Sequence, residues 1–108
     1  MQKKPKVPEL DEILNVLRKH QDQLEQQFAV RKIGVFGSCA RGNLKKTSDI
    51  DLIVEFDLQR LNLKTYLSLI QYLEKILGRK VEILTRDGLE TIRIKYIKED
   101  IKNSIIYA

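Results

Sequence analysis

Among its 108 residues the sequence has one cysteine, one histidine, two prolines and no tryptophan. The single thiol, Cys39, excludes an internal disulfide and a thiolate zinc cluster, and the lone His20 removes histidine-based metal centres. Any metal held by this chain must therefore sit on carboxylates. Long apolar runs are missing too. Lys, Arg, Glu or Asp interrupts every hydrophobic stretch well short of the ~18 uncharged residues that a membrane span needs. The opening MQKKPKVPEL is basic and lacks the apolar segment of an export signal, so a soluble cytoplasmic protein without membrane association is expected. Aromatic residues make up only 6%, which leaves little for the stacking platform of a single-stranded nucleic-acid binder.

What is present fits one small globular domain spanning residues 1–108, with 43% hydrophobic and 32% charged residues. The net charge of +5 is compatible with nucleic acid, an acidic partner or a polyphosphate ligand. Solvated helix faces account for it equally well.

Glu9 to Phe28 places Leu10, Ile13, Leu14, Leu17, Leu24 and Phe28 on one helical stripe, with Pro8 near the first turn. VRKIGVF, residues 30–36, reads as a strand ended by Gly37, and residues 38–43 as a helical turn or two. A loop over 44–48 leads to Ile50–Phe56, whose period-two alternation predicts a second strand. Residues 61–77 predict a long helix stopped at Gly78, and Val81–Leu84 a third strand. Ile94, Ile97, Ile101 and Ile105 recur at helical spacing, so 89–107 is expected to be a terminal helix broken near Tyr96 and facing mostly the core. Ile105 and Ile106 cannot both face one core from a single helix, so one of them is a candidate partner contact. The fold class expected is α/β (α+β), a small mixed sheet of at least three strands with helices packed mainly on one face.

Chemistry concentrates in the middle of the chain. Asp49 and Asp51, two apart on an extended segment, project to one side about 6.5 to 7 Å apart and can converge on a hard cation. Two metals ~3.5 to 4 Å apart, activating an attacking oxygen and neutralising a leaving pyrophosphate, usually need a further carboxylate from a neighbouring strand. Glu82, opposite in facing to Val81 and Ile83, is the candidate. Gly37 and Ser38 stand where a strand gives way to a helix, a geometry that aims backbone N–H groups at an anion such as a triphosphate. Arg41 can add a cationic fork to the phosphates or make a surface ion pair. An isolated Asp-x-Asp would be read as two solvent-facing acids, and Glu82 alone as an exposed strand residue. The Gly-Ser turn upstream changes that reading. Lys45 and Lys46 read as solvated, Cys39 as a small filler of the turn and His20 as exposed.

Gly37-Ser38, ten residues, then Asp49-Ile50-Asp51 resembles the signature of the DNA polymerase beta-type nucleotidyltransferase superfamily. Residues 37–54, GSCARGNLKKTSDIDLIV, are similar to those of the minimal nucleotidyltransferase (MNT) antitoxins of HEPN/MNT toxin–antitoxin pairs. The resemblance implies a nucleotidyltransferase palm that transfers AMP from ATP, with two Mg2+ ions, to a tyrosine hydroxyl of a HEPN-domain toxin. That toxin would be an RNase, silenced when its tyrosine carries AMP. Asp49 and Asp51 would be metal ligands and catalytic groups, Glu82 the third acid, and Gly37, Ser38 and Arg41 nucleotide contacts. The third acid is usually Asp in these small proteins, so the longer Glu82 leaves its role as general base open. A chain this short has no place to hold a nucleic-acid template, so a hetero-oligomer with the toxin is expected rather than stable binding of nucleic acid. Two alternatives stand beside this reading: an antitoxin that acts by binding alone, and a nucleotidyltransferase with another acceptor.

Overall fold

The computed structural model describes residues 8–108; residues 1–7, which hold the basic start of the chain, lie outside them. The elements run α1 (Leu10–Lys19), α2 (Gln21–Phe28), β1 (Val30–Val35), α3 (Gly37–Ala40), β2 (Ile50–Phe56), α4 (Leu63–Leu77), β3 (Val81–Thr85), α5 (Arg86–Glu90), α6 (Lys95–Ser104) and β4 (Ile106–Tyr107). The strands form one mixed sheet in the order β3-β2-β1-β4. β2 runs antiparallel to β1 and parallel to β3, and β4 runs antiparallel to β1.

Alternation along the strands sets up two different faces. Ile33, Val35, Ile50, Leu52 and Val54 point to one side and are buried with Leu17 of α1, Leu24 of α2, and Leu69 and Leu73 of α4. On the opposite face lie Gly34, Asp51, Ile53 and Glu82, with Ile53 opposite Leu84 in the β2–β3 register. Ile53 and Leu89 of α5 are both almost fully buried although neither belongs to the main core. The last helices therefore cover part of this second face and leave the Asp51–Glu82 end accessible. That division places acids on one side of a strand whose other side anchors it in the core. Among the described residues no helix is long and apolar enough to cross a membrane.

Local chemistry explains most of the boundaries. The Asn62 side chain accepts a hydrogen bond from the Thr65 N–H at 2.8 Å and starts α4, which ends at Gly78 in the left-handed conformation. Thr85 starts α5 in the same way, accepting from the Gly88 N–H at 2.9 Å.

The expectations for the first helix, for His20 and for the C-terminal segment need correction. The first long helix is two, because the chain leaves helical geometry at His20 (φ −102°, ψ 12°). That residue is half-buried rather than exposed: its Nδ1 lies 2.9 Å from the Val16 carbonyl oxygen and its ring meets Tyr72 edge-on. The C-terminal helix is also divided, into α5, α6 and the strand β4. Ile94 and Ile97 are exposed, α6 buries no residue fully, and Ile105 and Ile106 follow its end in extended conformation. Gly34 admits that strand, since a Cβ there would lie 2.8 Å from the Ile106 carbonyl oxygen.

Candidate active site

β1 delivers the chain to a sharp turn. The Phe36 N–H donates to the Asp51 carbonyl at 3.0 Å, fixing the end of β1 beside the start of β2. Gly37 follows with φ +67°, which side chains other than hydrogen rarely tolerate. A Cβ at this position would fall 2.7 Å from Asp51 Oδ2, so the acid lies directly against the glycine. Ser38, Cys39 and Ala40 form one helical turn that buried Cys39 pins to the core, as its small size suggested. Burial, and then the charge of Asp51, push the Cys39 thiol up from its ordinary value.

Asp51 pairs in register with Glu82 across the parallel β2–β3 ladder. Glu82, the acid singled out in the sequence, therefore stands on the strand next to that of Asp51. Asp49 lies one residue before β2 begins, outside the ladder, and not within the strand. Burial is the first cause holding the half-buried Asp51 carboxyl above its ordinary range; the charges of Glu82 and then Asp49, and hydrogen-bonding contact with Glu82, add to it. Asp51 thus has two further carboxylates within electrostatic reach, oxygen donors of the chemical kind that hard divalent cations take. Among the described residues no three His, Cys, Asp or Glu side chains stand close enough together to hold a metal ion as they are, and Glu82 weighs on Asp51 more than Asp49 does. An open cleft of about 490 Å³ runs beside Asp49, between residues 46–48 and the Gly78–Lys80 turn.

Of the other expected ligand contacts, Ser38 lies in α3, and Gly37 and Arg41 are engaged within the chain. The Gly37 N–H donates to Ser104 Oγ at 3.2 Å, and the Ser104 hydroxyl donates to the Ile101 carbonyl at 2.8 Å. Arg41 is exposed and donates to Asp100 Oδ1 at 2.6 Å, which raises its basicity further. Of its two readings, the ion pair is the one seen. Lys45 and Lys46 expose their side chains as expected, while their carbonyls accept from Arg79. Sequence reasoning missed Asp100, Ser104 and Arg79. Their partners lie 31 to 67 residues away, a separation that no local pattern records.

A glycine turn at the end of one strand, facing a half-buried aspartate on the next, is the arrangement expected of a nucleotidyl-transfer palm. The sequence profile described as nucleotidyltransferase domain matches residues 17–108. The chain belongs to this family. Nucleotidyltransferase relatives cover nearly its full length. A Methanocaldococcus jannaschii chain assigned as protein adenylyltransferase MJ1379 is 44% identical over 99 residues, 91% of this chain and 96% of that one. The protein adenylyltransferase MntA of Thermococcus cleftensis is 39% identical over 82 residues, 76% of this chain and 82% of its own. A solved structure assigned as a minimal nucleotidyltransferase superposes with TM-score 0.71 at 26% identity, covering 94% of this chain and 98% of that one. A chain from a crystallised MntA–HpeT toxin–antitoxin complex shares the fold at TM-score 0.55 and 17% identity, over 93% of this chain and 71% of its own.

Proposed function

We propose that this nucleotidyltransferase is a single-domain protein adenylyltransferase and an antitoxin. It transfers AMP from ATP to a tyrosine hydroxyl of a partner HEPN-domain toxin, an RNase, and so inactivates it. The observation that carries the reading is the contact of Gly37 with Asp51, itself paired with Glu82 on the adjacent strand. The relatives named adenylyltransferase supply the nucleotide, and the toxin–antitoxin complex that shares the fold supplies the class of partner.

In this reading Asp49, Asp51 and Glu82 hold Mg2+, in two ions, and provide the catalytic carboxylates. Bound there, Mg2+ neutralises charge on the phosphates and on the departing pyrophosphate. Gly37 lets the phosphate chain approach the backbone, Ser38 donates its hydroxyl to a phosphate oxygen, and Arg41 contributes its guanidinium. The tyrosine oxygen forms a bond to the α-phosphorus of ATP while the bond to pyrophosphate breaks. Its proton passes to a carboxylate of the acid cluster. A cytoplasmic site of action and a hetero-oligomer with the toxin follow from the same reading.

The engagement of Gly37 and Arg41 by α6 favours a second reading, in which the nucleotide site stays closed and the protein neutralises its toxin by binding alone. Incubation with Mg2+, ATP labelled on the α-phosphate and the toxin separates the two. Adenylylation predicts label on a toxin tyrosine that disappears with Asp49→Ala or Asp51→Asn. Toxin silenced equally by those variants, without label, establishes the binding-only reading.

A further inference from the structure

The segment that ends in Asp49 has no regular structure of its own. From residue 41 to residue 49 the chain is neither helix nor strand, and the β2 ladder begins only at Ile50. Lys45 and Ser48 bond each other within it, and the long-range hydrogen bonds to its backbone come from the turn between α4 and β3. Half-buried Arg79 donates from Nη2 to three backbone carbonyls, Lys45 at 2.6 Å, Lys46 at 2.9 Å and Ser48 at 2.7 Å. Directly after it, the Lys80 carbonyl accepts from the Ile50 N–H at 3.0 Å, and three residues along the chain stands Glu82. A guanidinium bonded to successive carbonyls neutralises dipoles that would otherwise face one another and fixes the loop as a unit.

We propose that Arg79 is the positioning residue of the acid cluster. It ties the segment bearing Asp49 to the strand bearing Glu82, and so sets the separation of two carboxylates on either side of Asp51. This rests on the metal-site reading above, and it adds a residue outside the Gly-Ser and Asp-x-Asp motifs to that site. In this role Arg79 acts through Asp49, its Nη2 being engaged by the loop carbonyls.

The test is Mn2+ affinity, followed by electron paramagnetic resonance on the folded, full-length protein, beside turnover measured against Mn2+ concentration. Arg79→Met is expected to weaken Mn2+ binding by about 10- to 100-fold, the usual loss when the support of a metal ligand is removed. Saturating Mn2+ is expected to restore most of the turnover. Arg79→Lys is expected to fall between the two, because all three contacts come from one nitrogen that an ammonium can partly replace. Added to Asp49→Ala, Arg79→Met is expected to weaken binding no further, which a general effect on folding would not reproduce. Should Arg79→Met not fold, Arg79→Lys carries the same comparison. Unchanged Mn2+ affinity in the folded variant, or full additivity with Asp49→Ala, overturns the positioning role alone. Wild-type protein whose Mn2+ binding is absent, or indifferent to Asp49 and Asp51, brings down the metal-site reading and this role with it.

Discussion

Asp51 is where the demands of folding and of the proposed chemistry conflict. Burial and its acidic neighbours make its ionised form unfavourable, which destabilises the metal-free protein at any pH where the carboxylate is forced to ionise. The sign follows from linkage: a carboxyl whose folded pKa is raised lowers stability as pH climbs through that value, and the penalty vanishes below the ordinary aspartate range. Asp51→Asn is therefore expected to stabilise the metal-free protein near neutral pH by on the order of 0.5 kcal/mol, a small amount because solvent screens the half-exposed group. Thermal melts at two pH values check this, with the gain fading below about pH 4. The same change is expected to reduce transfer by well over the roughly 100-fold that losing only the support of a metal ligand costs. Gly37→Ala is expected to lose about 1 to 2 kcal/mol from the positive φ and to reduce turnover by displacing the Asp51 carboxylate. Melting temperature and initial rate measure the two effects separately. These residues were legible in the sequence because a two-residue period places side chains on one face and a glycine after a strand marks a turn. The start of β2 at Ile50 was legible as well, because the apolar alternation begins there, which leaves Asp49 one residue ahead of the ladder.

At the scale of elements, α6 is the least foreseen part of the fold. Its isoleucines recur at helical spacing, yet the helix is held by polar contacts. Glu90 of α5 accepts from Lys98 at 3.0 Å and Lys102 at 2.9 Å, which pull its carboxyl down to about 2. Asp100 and Ser104 then reach Arg41 and Gly37. Helical periodicity reports one face of a helix without saying whether that face is buried, and a two-residue strand is too short to show alternation. The long helix α4 and the core strands β1 and β2 were legible because their apolar stripes are long and are buried. Since α6 occupies the groups proposed for phosphate, Asp100→Asn combined with Ser104→Ala is expected to tighten ATP binding up to about fivefold, the equivalent of one exposed ion pair. Titration with a fluorescent ATP analogue reads this directly. Weaker binding would show instead that α6 aligns Gly37 and Arg41 for the nucleotide.

Taken whole, the described chain is a sheet buried on one face by α1, α2 and α4 and part-covered on the other, with its acids at the accessible end. The carboxylates proposed for catalysis and the turn proposed for phosphate stand beside an open cleft, so an acceptor must bring its own complementary surface. That is why the proposed acceptor is a folded partner rather than a nucleic-acid strand. The most direct test is the intact mass of the proposed partner, a HEPN-domain toxin, after co-expression with the wild-type chain or with Asp51→Asn. A gain of one or more AMP units on a tyrosine with wild type, and none with Asp51→Asn, is the result predicted. An unmodified but silenced toxin in both cases, or equal modification in both, would contradict it.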